Sequence, residues 1–120
     1  MDAGASGGQS DQMVFPIIEQ SALGGDFEGF AHGSEVSFFL ERIEREGAGP
    51  RLHRHPYSET FVIRTGAARF TVADEQVIAT AGQILVVPAL VAHRFAVVGS
   101  DVYEAIHIHA SERFITEWLE

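Results

Sequence analysis

The 120-residue chain contains no cysteine. That excludes disulfides, thiolate catalysis and sulfur-based metal sites, so any metal must be held by nitrogen and oxygen. No window approaches the ~18 apolar residues of a membrane-spanning helix, and the first twelve residues carry neither positive charge nor an apolar run. No signal peptide is therefore expected, and a cytoplasmic location follows by default. Positive charge is scarce: eight basic residues, all arginine, face 17 acidic ones, for a net charge of -9. Phosphate backbones and anionic membrane surfaces are repelled by that balance, so neither nucleic acid nor a membrane is an expected partner.

What the chain does have is apolar residues, 46% of the total, with nine phenylalanines. This suffices for one buried core in a chain too short for two domains. The opening MDAGASGGQSDQ (1–12) is Gly/Ser-rich and polar and reads as a flexible tail, with a single domain over 13–120.

From Val14 onward, short runs rich in Val, Ile, Phe and Thr alternate with Gly, Pro and Asp, the pattern of an antiparallel all-β protein. Strands are expected near Val14 to Ile18, Glu35 to Glu44, Glu59 to Thr65, Ala68 to Ala73, Gln76 to Ala79, Ile84 to Val87, His93 to Val98 and Val102 to His109. Ala73-Asp74-Glu75 and Val98-Gly99-Ser100-Asp101 read as turns between sequentially paired strands. After Ser111, a potential helix cap, Phe114, Ile115, Trp118 and Leu119 recur at helical spacing. A short C-terminal helix is expected, with Trp118 as a core anchor.

The chemistry concentrates in residues 47–66. His53, His55 and Glu59 share odd parity, so in extended backbone they project to one face, with Tyr57, Phe61 and Ile63 beside them. Two imidazoles and a carboxylate suit Fe, Mn, Co, Ni, Cu or Zn without singling one out. His93 opens a strand with inward Phe95 and Val97 and is a candidate fourth ligand. The bland reading of Glu59 is a surface carboxylate paired with Arg54 or Arg64, which would contribute little.

At this point the chain resembles the cupin superfamily, in particular its small single-domain bacterial members. The first cupin motif is matched at Gly47, His53, His55, Glu59 and Gly66. The second is matched at Gly82, Pro88 and His93, with Leu90 where the family often has glycine and Val97 where it often has asparagine. The resemblance covers roughly residues 35–110. It implies a double-stranded β-helix, or jelly-roll barrel, holding one divalent transition metal per chain near an open end, with one or two coordination positions left for water or substrate. Members include dioxygenases, isomerases, epimerases and decarboxylases, so the fold does not name the reaction.

Other residues are ambiguous in sequence. His107 and His109 share the parity of Tyr103 and Ala105. If that face is inward they line the cavity as acid-base or supporting groups; if Ile106 and Ile108 fill the core they face solvent. Tyr57 and Phe38 are candidate cavity walls, and Arg51 a candidate contact for an anionic substrate. Arg54 and Arg64 should point outward, and His32 reads as a surface residue. Two functions remain open: a metal-dependent enzyme acting on a small organic molecule, or a noncatalytic binding or sensing barrel whose metal is structural or vestigial. Exposed strand edges, the first strand above all, favour a homodimer.

Overall fold

The computed structural model describes residues 15–120, so the tail read at 1–12 lies outside the described residues. The all-β expectation is met. Ten strands run in chain order as β1 (Asp26–Phe27), β2 (Ser37–Ile43), β3 (His53–Arg54), β4 (Glu59–Thr65), β5 (Ala67–Val72), β6 (Glu75–Thr80), β7 (Ile84–Val87), β8 (His93–Val98), β9 (Tyr103–His109) and β10 (Glu117–Trp118). They form two five-stranded sheets, ordered β1-β2-β9-β4-β7 and β10-β3-β8-β5-β6. All pairings are antiparallel, and the sheets pack face to face as a jelly roll.

Period-two alternation builds the core. Phe61 and Ile63 from β4 and Tyr103 and Ala105 from β9 point inward from one sheet; Ala68 and Phe70 from β5 and Phe95 and Val97 from β8 meet them from the other. Phe61 and Phe70 meet edge to face across the interior at 4.9 Å. Full burial of one such side chain stabilises by about 1.5–3 kcal/mol. The crossing from β4 into β5, and so between sheets, turns on Gly66. Its φ is +74°, and an added Cβ would lie 2.5 Å from the Val102 carbonyl oxygen, so only glycine fits.

The Ala73-Asp74 turn is a two-residue hairpin, with Val72 opposite Glu75 and Ala73 at φ +55°. The turn around Gly99 behaves differently from expectation. It links β8 to β9, which lie in different sheets, so its flanking strands do not pair. Residues 15–18 form no strand; the edge of their sheet is instead β1, paired with β2. Val14 lies outside the described residues.

The expected C-terminal helix is also absent. Among the described residues the only helical segments are the 3-10 turns Gln20–Ala22 and Gly29–His32. The backbone donors a helix would use go to the barrel. Phe114 N–H donates to Glu28, Ile115 N–H to the Tyr57 hydroxyl and Leu119 N–H to the Leu52 carbonyl. The segment runs extended and ends as β10 against β3. Trp118 is half exposed and no core anchor. None of the helices of the described residues is long and apolar enough to cross a membrane.

Candidate metal centre

Strand register assembles the site. His53 on β3 lies directly opposite His93 on β8 in one sheet, and Glu59 on β4 opposite His109 on β9 in the other. His55 sits between them in the β3–β4 connection. The facing sheets therefore bring residues 53, 55, 59 and 93 together. One ligand atom from each lies within 4.8 Å of all the others, and all four residues are buried. Glu59 has no arginine partner: Arg54 pairs with Glu117 at 2.8 Å, and Arg64 is exposed on the outer face.

The protonation pattern fits a cation. His53 Nδ1 is 2.7 Å from the Arg51 carbonyl, His55 Nδ1 2.8 Å from that of Ile115, and His93 Nδ1 2.9 Å from that of Val91. A carbonyl only accepts, so each Nδ1 carries the proton and each Nε2 is left with a bare lone pair. Two of those lone pairs, on His55 and His93, face the same Glu59 oxygen at 3.1 and 3.0 Å. His55 Nε2 is fully buried with no hydrogen-bond partner. Lone pairs turned on a carboxylate repel it unless a positive charge sits between them, and a metal ion supplies one without a proton. Burial is the main reason the His53 pKa is lowered, outweighing the Arg51 carbonyl that raises it, so the ring is kept neutral, the form that binds metal.

Both C-terminal histidines face inward and are buried, with Ile106 and Ile108 on the opposite side of β9. His109 Nε2 lies 3.0 Å from the second Glu59 oxygen, close but off line for a hydrogen bond. Its Nδ1 is 2.6 Å from the Tyr57 hydroxyl, which itself accepts the Ile115 N–H. The Tyr57 hydroxyl therefore has its own proton free for His109 Nδ1, which leaves His109 Nε2 toward the second Glu59 oxygen with its ring 4.6 Å from that of His55. Burial, chiefly, raises the Tyr57 pKa and keeps that proton in place.

His107 stands apart, wrapped by Phe61 and Phe95 and held through Nε2 by the Tyr103 hydroxyl at 2.8 Å. Burial first, and then neighbouring His109 and His93, push its pKa down to about 4 against the pull of Glu59.

A cavity of about 370 Å³ opens beside the cluster between β2 and the β3–β10 edge. Its wall on β2 is Phe39, Glu41 and Ile43; Phe38, the expected wall, faces the other way and stacks on Phe27 at 4.5 Å. His32 also stacks on Phe27, at 4.6 Å, and is half-buried. Arg51 lies outside the cavity wall, its guanidinium 4.9 Å from the centre of the Trp118 ring, which is itself 5.1 Å from His53. Glu41 and Phe39 were missed in the sequence. Their odd parity within β2, shared with buried Ser37, was the available signal.

A two-sheet β-barrel with a histidine–glutamate cluster inside a cavity defines a small barrel that could hold a metal. The chain belongs to the cupin domain family, whose profile matches residues 39–114. Among solved structures, Bacillus subtilis oxalate decarboxylase, studied for its Mn(II) centres, superposes with a TM-score of 0.70 at 22% identity, over 78% of this chain and 27% of that one. A conserved Streptococcus pyogenes protein of unknown function gives 0.57 at 18% identity, over 63% of this chain and 64% of that one. A Desulfitobacterium hafniense cupin superfamily protein gives 0.56 at 21%, over 62% and 66%. At such identities the likeness speaks for the fold, and the chain spans less than two thirds of each of the three. No curated protein matches the sequence.

Proposed function

We propose that this protein is a metal-dependent cupin acting on a small organic molecule. His53, His55, Glu59 and His93 would hold one divalent transition metal, and His109 and Tyr57 would position Glu59. The observation that carries the reading is the set of three Nδ1–H groups spent on backbone carbonyls, two of whose Nε2 lone pairs converge on one buried carboxylate oxygen. A bound ion supplies Lewis acidity to a ligand oxygen. The protein's own contribution is a largely apolar, aromatic-walled cavity that excludes water and orients the bound molecule. The manganese of oxalate decarboxylase and the shared fold support this reading without naming a substrate.

The test is elemental analysis of tag-free protein purified without chelators or nickel resin, beside a His53→Ala/His55→Ala double variant. Near-stoichiometric transition metal in the parent and its loss in the variant are expected. A parent that takes up no metal even on reconstitution would overturn the reading. Metal-replete protein that turns over nothing in oxygenase, isomerase and decarboxylase screens would leave a binding barrel in place of an enzyme.

A further inference from the structure

Beyond the metal cluster the cavity changes character. Register sorts the inward side chains of the first sheet into tiers: Ser37, His109 and Glu59; then Phe39, His107 and Phe61; then Glu41, Ala105 and Ile63. Successive tiers are about 7 Å apart along a strand. Glu41 therefore reaches the cavity from two tiers beyond Glu59, with the aromatic tier between them.

Glu41 is the one carboxylate of the lining outside the cluster. His107 Nδ1 is 3.8 Å from its Oε2, too far for a hydrogen bond, while the other nitrogen of His107 is tied to Tyr103. Among the described residues no group donates a hydrogen bond to Glu41, which lines the cavity with its carboxylate unpaired. The lining contains no arginine, and the chain has no lysine. Arg51 lies outside the lining, over the Trp118 ring, and Arg54 pairs with Glu117. Burial, and after it the charges of Asp26 and Glu59, raise the Glu41 pKa, and a cation placed against its carboxylate would favour the charged form.

We propose that Glu41 is the specificity-determining residue of the cavity, and that it selects a small molecule bearing an amine or other cationic N–H donor at the end remote from the metal cluster, in preference to a dicarboxylate. The inference rests on the reading of this cavity as a small-molecule site next to a metal centre.

The probes are two series of equal length: ω-amino acids from β-alanine to 6-aminohexanoate, and dicarboxylates from malonate to adipate. Both offer the same carboxylate head to a metal and differ only at the tail. Titration calorimetry on the full chain, with metal content measured on each sample, should show the best amino acid at least about tenfold tighter than its dicarboxylate counterpart. Glu41→Gln should bring that ratio to about two or less. Dicarboxylates binding as well or better, neither series binding, or a folded Glu41→Gln that keeps the ratio would each overturn the proposal. Should that variant not fold, the parent's ratio alone decides. Metal-replete protein without a tail preference sinks this inference alone. Protein that takes up no metal yet keeps the preference sinks the metal reading and leaves Glu41 its role.

Discussion

At the scale of single residues, Leu90 is the position where departure from the family pattern has a visible physical cost. It adopts φ +69°, in the left-handed region, while its N–H donates to the His55 carbonyl at 2.7 Å. A branched side chain there costs roughly 1–2 kcal/mol, and this one is largely exposed, so little packing offsets it. Leu90→Gly is expected to raise unfolding free energy by about 1 kcal/mol in urea titration, after the extra chain entropy of glycine is deducted; a loss of stability would show that the loop does not need this conformation. Val97, the other departure, simply packs in the core at 1% exposure. His107 makes a second prediction. Its pKa is 6.5 ordinarily and about 4 when folded. Below pH 6.5 the unfolded chain therefore takes up a proton that the folded one refuses, and stability falls from there toward pH 4. The loss attributable to His107 is about 2 kcal/mol by pH 5. Urea unfolding of chelator-treated protein at pH 7.5 and 5 should show a smaller drop for His107→Gln than for the parent; equal drops would contradict the argument.

Among the elements, the C-terminal segment matters beyond its length. Its Ile115 carbonyl fixes the His55 ring, its Ile115 N–H holds Tyr57, and Phe114 stacks on Phe39 at 4.3 Å while meeting His109 edge-on. None of these residues belongs to the central core, so the barrel should survive their removal. Truncation after Arg113 is expected to leave the far-ultraviolet circular dichroism that of a folded β-protein and to weaken metal binding by about 10- to 100-fold, the usual effect of losing the groups that orient ligands. Competition against a fluorescent chelator measures this, and unchanged affinity would reduce the segment to a cover.

For the whole molecule, the outermost strands opposite the cavity mouth, β6 and β7, carry exposed Val77, Ile78, Ile84 and Val86. Apolar edge strands are open to pairing with a second chain. Homodimerisation is proposed there and not at residues 15–18, which form no strand. Sedimentation velocity should give a dimer for the parent and a monomer for a Val77→Glu/Ile84→Glu variant; a monomeric parent ends the proposal. Acid should also strip metal from the protein below about pH 5.5, since imidazole ligands must be neutral. Full metal at pH 4, read by elemental analysis after dialysis, would contradict histidine ligation.

Alternation was enough to read most of this fold. The spans of β4, β7 and β8 follow directly from runs of Val, Ile and Phe bounded by turn residues. The expected single face for His53, His55 and Glu59 is instead two: His53 and Glu59 point inward from opposite sheets, with His55 in the connection between them. Local periodicity says nothing of which sheet a strand joins. For that reason the turn at Gly99 looked like a hairpin, and β9 could have been read either way up. The direction of His107 and His109 was decided by long-range pairing of β9 with β2 and β4, which seats Tyr103 and Ala105 in the core and the histidines with them. In the tail, Phe114, Thr116 and Trp118 satisfy a strand as well as Phe114, Ile115 and Trp118 satisfy a helix. The choice fell to hydrogen-bond partners on Glu28, Tyr57 and Leu52, dozens of residues away. The amino-acid order by itself determined which four side chains, His53, His55, Glu59 and His93, come together, and most of the strands around them. Tertiary structure alone decided how Glu59 is braced and what else the cavity presents, because those depend on distances between chain segments that no local pattern encodes.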